Sequence, residues 1–200
     1  MPRQVDHAQR RSDIAQALWR VVLRDGVTAT TVRGVAAAAG TSPSSLRHYF
    51  ATQDELLGFA LESLIERVER RLAPDIAALH GRAGALRILG EVLPLDEQRR
   101  AEVEVYLAFV GRAPANARLQ KARDDVDAAT RQAVSYALEL LQASGELGEG
   151  RAPADEVQRT YPLLDGLALH GTLWPGRYPA AYLQRVLEAH LDELRLPLNG

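Results

Sequence analysis

The chain of 200 residues contains no cysteine, which excludes disulfides and thiolate metal sites. Aromatic residues make up only 6% of it, and Val, Ile, Tyr and Phe are thinly spread, while Ala, Leu and Arg dominate. These abundant residues are strong helix formers, so an all-α chain is favoured over a sheet. No stretch approaches about 18 uninterrupted apolar residues, so no membrane span is expected. The start carries no apolar run of signal-peptide length, and the expectation is a soluble, cytoplasmic protein. There is no Gly-rich phosphate loop. The five histidines (7, 48, 80, 170, 190) have no His or Glu partner at metal-ligand spacing on a shared helix. The serines lack a recognisable nucleophile setting. An enzyme, a metal site and a cofactor are therefore not expected.

What is present is an ordinary apolar fraction of 46%, enough for one large or two small helical domains with a real core. The net charge is only −2, but it is unevenly spread. Residues 1–50 hold seven arginines against three aspartates, giving +4 and leaving −6 for the other 150 residues. A basic head on an acidic body orients a molecule toward DNA, although a solvated asymmetry with no partner has the same composition.

Residues 31–57 are the most informative stretch. Thr31 is an N-cap for a helix through about Ala39, with Val32, Val35, Ala36 and Ala39 on one face. Gly40 stands where a helix end needs the left-handed conformation. Ser42 caps a second helix, with Pro43 at its first position, where the missing N–H costs nothing. Leu46, Tyr49 and Phe50 can pack inward, leaving Ser44, Ser45, Arg47 and His48 on a polar face. Thr52-Gln53-Asp54-Glu55 is a capping box that opens a long helix to about Ala73. Small hydroxyls and a cation on a short helix suit the major groove of DNA. The same pattern also fits two helices of an ordinary bundle with a hydroxyl-rich surface.

The remaining punctuation divides the chain into about nine helices. A first helix from about Ala8 to Arg24 buries Ile14, Ala17, Leu18, Val21 and Val22, after a disordered arm at residues 1–7. Arg10 and Arg11 near its start oppose the helix dipole, a weak hint of phosphate contact. Gly58 inside the long helix costs about 1 kcal/mol relative to alanine, which points to close packing rather than a hinge. Short helices follow around 76–80 and 83–92, then a helix at about 96–112 capped by Asp96 and stopped by Pro114. A long helix covers about Ala115 to Ser144. Pro153 and Pro179 open the last two long helices, and Pro162 inside the first of these predicts a kink.

Residues 10–57 resemble the N-terminal domain of the TetR family of transcriptional regulators. The resemblance rests on Ile14, Ala17, Leu18 and Gly26, on Thr31-Val32, Val35-Ala36 and Ala39-Gly40, and on Leu46-Arg47-His48-Tyr49-Phe50 with Asp54-Glu55-Leu56-Leu57. The remainder is similar to the BetI-like C-terminal type through Leu93–Arg100 and Leu164–Leu169. The resemblance implies an all-helical homodimer that binds a palindromic operator and releases it when a small molecule binds. It divides the chain into a three-helix DNA-binding head at 1–52 and a ligand-binding and dimerisation bundle at 53–200. The expected DNA contacts are Thr31, Arg33, Thr41, Ser42, Ser44, Ser45, Arg47, His48 and Tyr49. Pro43, Arg47 and Gln53 depart from the family, which often carries a polar residue, tyrosine and lysine there. Those departures support the competing reading, a small-molecule-binding bundle with weakened or lost DNA binding.

In the body, an apolar cavity between the joining helix and the helices after it is expected. Leu61, Leu64, Ile65, Leu89, Tyr106, Phe109, Tyr161 and Leu164 are its candidate lining, for an effector that is largely apolar. The last two helices are apolar on more than one side, so they are expected to pair with a second copy. Leu167, His170, Trp174, Tyr182, Val186 and His190 are the candidate seam.

Overall fold

The computed structural model describes residues 3–110 and 117–198, with side chains described for all of these except 3–8 and 118. Among the described residues there are nine α-helices and no strand. In chain order they are α1 (Arg3–Asp25), α2 (Val32–Ala38), α3 (Pro43–Arg47), α4 (Gln53–Leu72), α5 (Gly81–Leu89), α6 (Glu97–Val110), α7 (Ala117–Ala143), α8 (Pro153–Leu173) and α9 (Ala180–Leu194). They form two compact units, Met1–Ile65 with Glu104–Asp125 and Glu66–Val103 with Val126–Gly200.

The first unit is built on the buried stripe of α1, in which Ile14, Ala17, Leu18, Val21 and Val22 are each at most 2% exposed. Val35 and Ala36 of α2, Leu46 of α3, and Leu56, Leu57, Ala60 and Leu61 of α4 complete the core. The indole of Trp19 donates to Ser63 Oγ at 2.8 Å, which in turn donates to the Ala60 carbonyl at 2.8 Å. A buried N–H and a buried hydroxyl are thus satisfied together. Gly58 lies against the side chain of Leu119, and a Cβ built there would also come within 3.8 Å of Phe109 Cε2. Close packing, not bending, explains the glycine in the helix.

The core of the second unit contains Ile88, Leu89 and Leu93, Val134, Leu138 and Leu141, Tyr161 and Leu164, and Leu183, Leu187 and Leu191. Beside it lies an ionic network. Arg71 donates to Glu102 through both Nη atoms at 2.8 and 2.7 Å and to Glu91 through Nε at 2.6 Å. Arg67 Nε adds a bond to Glu102 at 2.8 Å, and Arg87 pairs with Glu91. The two carboxylates are only 3% exposed, so several guanidinium N–H groups replace the water they have lost.

Several sequence expectations need correction. Helix α1 begins at Arg3, not Ala8. Residues Arg3–Ala8 contain no glycine or proline to stop it. Arg10 and Arg11 are therefore not in the first turn. The region 76–80 holds only a 3₁₀ turn, Ile76–Ala78, because the stretch between Pro74 and Gly81 is too short to sustain an α-helix. The helix expected over 83–92 ends at Leu89 and tightens into a 3₁₀ turn at Gly90–Val92 ahead of Pro94. Helix α8 contains Pro162, where the sequence places it inside the helix. Pro162 and Gln158, whose carbonyl loses its partner, both lie on the exposed side, where water can satisfy the freed group. Pro114 and the residues on either side of it, read as a helix stop and start, lie outside the described residues, as does the end of the arm at Met1 and Pro2.

Candidate nucleic-acid interface

The stretch between α1 and α4 is a helix-turn-helix held by local hydrogen bonds. Thr31 sits in extended backbone and its hydroxyl accepts from Gly34 N at 3.1 Å, capping α2. At the other end Gly40 has φ +61°, Gly40 N donates to the Ala37 carbonyl at 3.2 Å, and Thr41 N donates to the Ala36 carbonyl at 3.0 Å. This pair of bonds is a Schellman motif, and glycine supplies its left-handed residue without a Cβ penalty. Ser42 then caps α3 by accepting from Ser45 N at 3.1 Å, with Pro43 in the first turn. Each such cap contributes about 1 kcal/mol.

Packing orients α3. Leu46 is fully buried and Phe50 nearly so, with its ring 4.9 Å from that of Phe59 on α4. The polar face is left outward: Thr31, Arg33, Ser42, Ser44, Arg47 and His48 are exposed, and Thr41, Ser45 and Tyr49 are half-buried. All nine expected contact residues thus fall on α2, on α3 or at the ends of these two short helices. The side chains of Arg33, Arg47 and His48 are exposed and make no hydrogen bond or ion pair among the described residues. The arginines around Glu91 and Glu102 in the other unit are, by contrast, committed to carboxylates. On the same stretch the exposed hydroxyls of Ser42 and Ser44 lie 3.0 Å apart.

Three supporting contacts escape a reading by sequence spacing. Arg10 Nη2 of α1 donates to Thr41 Oγ1 at 2.7 Å, and Arg20 Nη2 donates to the Ala38 carbonyl at 2.9 Å. Two arginines ten positions apart on α1 thereby hold the end of α2 and the turn into α3. Gln53, where the family often has lysine, donates to the Thr30 carbonyl at 2.9 Å. Its amide fastens the turn before α2 to the start of α4. The capping box is present with one variation: Glu55 N donates to Thr52 Oγ1 at 3.1 Å, but the Glu55 carboxylate accepts from Ala51 N at 2.7 Å.

The candidate effector residues divide between the units. Leu61, Leu64, Ile65, Tyr106 and Phe109 lie in the first, where Leu61 and Phe109 are buried and the other three are half-buried. Leu89, Tyr161 and Leu164 lie in the second, within its hydrophobic core. The Tyr161 hydroxyl donates to Asp127 Oδ1 at 2.6 Å, and the Arg131 guanidinium lies 4.2 Å from its ring centroid.

Of the candidate seam residues on α8 and α9, His170, Trp174 and Tyr182 are exposed, as are Leu169 and Leu173. The rings of His170 and Trp174 meet edge-on at 5.4 Å, His170 approaches Tyr178 at 5.3 Å, and Tyr178 approaches Tyr182 at 5.6 Å. Leu167 belongs to the core of its own unit, and Val186 packs against that core. Half-buried His190 has Nε2 at 2.8 Å from Thr160 Oγ1. Burial holds its imidazole below the ordinary 6.5, the charges of Glu193 and Glu156 pulling the other way.

No helix among the described residues is long and apolar enough to cross a membrane, and no group of three or more His, Asp or Glu among them is placed to hold a metal ion. Residues 14–58 match the family described as bacterial regulatory proteins of the tetR family, and residues 81–196 match the C-terminal domain of BetI-type transcriptional repressors. The HTH-type transcriptional regulator PksA of Bacillus subtilis is 38% identical over 197 residues, covering 97% of this chain and 94% of that protein. The crystal structure of a transcriptional regulator from Rhodococcus sp. Rha1 superposes with a TM-score of 0.71 at 29% identity, covering 92% and 95% of the two chains. That of the multidrug binding protein EbrR complexed with ethidium does so with a TM-score of 0.61 at 28% identity, covering 91% and 97%. The helix-turn-helix geometry and these matches along nearly the whole length agree: this chain belongs to the TetR family of transcriptional regulators and is a DNA-binding regulator.

Proposed function

We propose that the protein is a homodimeric, ligand-responsive repressor that binds a palindromic operator and is released from it by a small-molecule effector. The observation that carries the DNA-reading half is the outward face of α2 and α3, where the side chains of Arg33, Arg47 and His48 and the hydroxyl residues Thr31, Ser42 and Ser44 stand exposed. Thr31, Arg33, Thr41, Ser42, Ser44, Ser45, Arg47, His48 and Tyr49 form the contact set, with Arg47 carrying the largest single share. A guanidinium can bond a guanine edge or a phosphate, and the hydroxyls can reach either. Residues 1–52 read DNA in this proposal, and residues 53–200 bind effector and a second copy, in the cytoplasm.

Dimerisation through α8 and α9 is supported by the exposed Leu169, Leu173, Trp174 and Tyr182, which leave an apolar aromatic strip open on the isolated chain. The seam set is Leu167, His170, Trp174, Tyr182, Val186 and His190, of which the exposed aromatics supply the contact area. Two copies about a two-fold axis would place their recognition helices in major grooves about one DNA turn or somewhat more apart. The candidate effector contacts are Leu61, Leu64, Ile65, Tyr106 and Phe109 in the first unit and Leu89, Tyr161 and Leu164 in the second. Its composition fits a largely apolar molecule, and the ethidium complex of the EbrR relative supports an effector with a flat apolar body. The effector acts through its differential affinity for the DNA-bound and free states.

The direct test is a gel shift on the DNA flanking the protein's own gene at low salt. A shift that weakens steeply with salt and is lost with Arg47→Ala is expected. No shift by the wild-type chain would instead favour a small-molecule-binding bundle that has lost DNA binding, the reading for which Pro43 and Gln53 speak.

A further inference from the structure

Arg10 and Arg11 are neighbours on α1 with opposite fates. The Arg11 guanidinium lies 3.6 Å from Glu62 Oε2 and 5.1 Å from the centroid of the Phe59 ring, so its charge is answered inside the unit. Arg10 has no carboxylate partner among the described residues. One of its N–H groups is held by Thr41 Oγ1 at 2.7 Å, in the turn that leads directly into the Ser42 cap of α3. The nearby carboxylate of Asp13 accepts instead from Gln9 at 3.0 Å. A guanidinium has five N–H donors in a rigid fork, and a single neutral hydroxyl occupies one and cancels none of the charge. The result is a half-buried cation on α1, held in orientation at the turn between the two helices of the motif.

We propose that Arg10 is a phosphate-binding residue of the DNA interface, aimed by Thr41. In a helix-turn-helix the helices other than the recognition helix lie along the sugar-phosphate backbone, and contacts from there set register rather than sequence. Arg10 reaches the turn from α1, outside α3, so its charge meets a phosphate rather than a base edge. Thr41 accepts the Arg10 bond and remains able to donate its own hydroxyl proton to the same phosphate. This inference rests on the reading that α2 and α3 meet DNA, and it adds to that reading a contact from a helix outside the motif.

The test uses the full chain and a labelled duplex selected by the wild-type protein from a random-sequence pool, with affinity measured across a salt series. Arg10→Gln keeps an amide donor for Thr41 and removes the charge. It is expected to weaken binding to selected and unselected duplexes alike, and to make the slope of log affinity against log salt shallower by about 1. Arg10→Lys, which keeps the charge, is expected to return the slope to the wild-type value, a recovery that a purely structural role for the Thr41 bond would not produce. A slope unchanged by Arg10→Gln, or not recovered by Arg10→Lys, overturns the inference while leaving the DNA-reading function intact. Failure of the wild-type chain to select any duplex overturns both.

Discussion

Arg71 of α4 and Glu102 of α6 form a two-pronged ion pair, Nη1 to Oε1 at 2.8 Å and Nη2 to Oε2 at 2.7 Å, with the carboxylate only 3% exposed. Arg67 and Glu91 extend it on either side. Removing one partner of such a buried pair strands the other charge. Glu102→Ala is expected to lower the unfolding free energy by about 3 kcal/mol, measured by urea denaturation. A loss below about 0.5 kcal/mol, the level of an exposed pair, would show that the network is solvent-screened.

The contact of Gly58 with Leu119 sets a second expectation. Alanine gains about 1 kcal/mol of helix propensity over glycine, but its Cβ would fall on the Leu119 side chain. Leu119 is itself only 3% exposed, so turning its side chain away means repacking a buried neighbourhood. Overpacking of this kind costs about 1–3 kcal/mol, so Gly58→Ala is expected to be net destabilising in thermal melts. Adding Leu119→Ala to Gly58→Ala is expected to cost less than the sum of the two single changes. A stabilised Gly58→Ala variant would mean that the helix–helix contact is loose.

His190 gives a pH-dependent expectation. Its imidazole titrates below the ordinary 6.5 in the folded chain because burial disfavours the charged form. As pH falls below 6.5, the unfolded chain takes up the proton first, so stability falls with acidification through the window between 6.5 and the lower folded value. His190→Gln leaves an acceptor for the Thr160 hydroxyl and removes the titration. The loss of melting temperature between about pH 7.5 and about pH 5.5 is expected to be smaller in the variant than in the wild type. An equal loss would place the responsible groups elsewhere.

Arg47 separates base reading from charge. Arg47→Ala is expected to cost about 1–3 kcal/mol of operator affinity in fluorescence anisotropy titrations. If the guanidinium reads guanine, the loss appears on the selected duplex and not on scrambled DNA. If it meets phosphate, the loss is uniform and the salt slope shallows by about 1. No loss on either duplex would remove Arg47 from the interface.

The helix-turn-helix was legible because its determinants are local. Thr31, Gly40, Ser42, Pro43 and Thr52 each act on backbone groups within a few residues, and all hold the positions that their spacing predicts. The buried stripe of α1 was legible from its periodicity, and the tight site at Gly58 from the cost of a mid-helix glycine. What was not legible depends on partners distant in the chain. Glu91 and Glu102 look like surface residues until Arg67 and Arg71 fold onto them. Gln53 stands where the family often has lysine, and only the fold puts its amide on the Thr30 carbonyl. The bond of the Tyr161 hydroxyl to Asp127 and the Arg131 guanidinium over its ring likewise join residues far apart in the chain. The start of α1 was misplaced because no capping residue marks it, and a helix without a breaker simply continues.

Enzymatic footprinting of a duplex selected by the wild-type protein tests the central claim most directly. Two protected half-sites of inverted sequence are expected, centred about one DNA turn or somewhat more apart, with protection abolished by Arg47→Ala. An unprotected duplex, or protection that Arg47→Ala leaves unchanged, would contradict the assignment of the α2–α3 face as the DNA-reading surface.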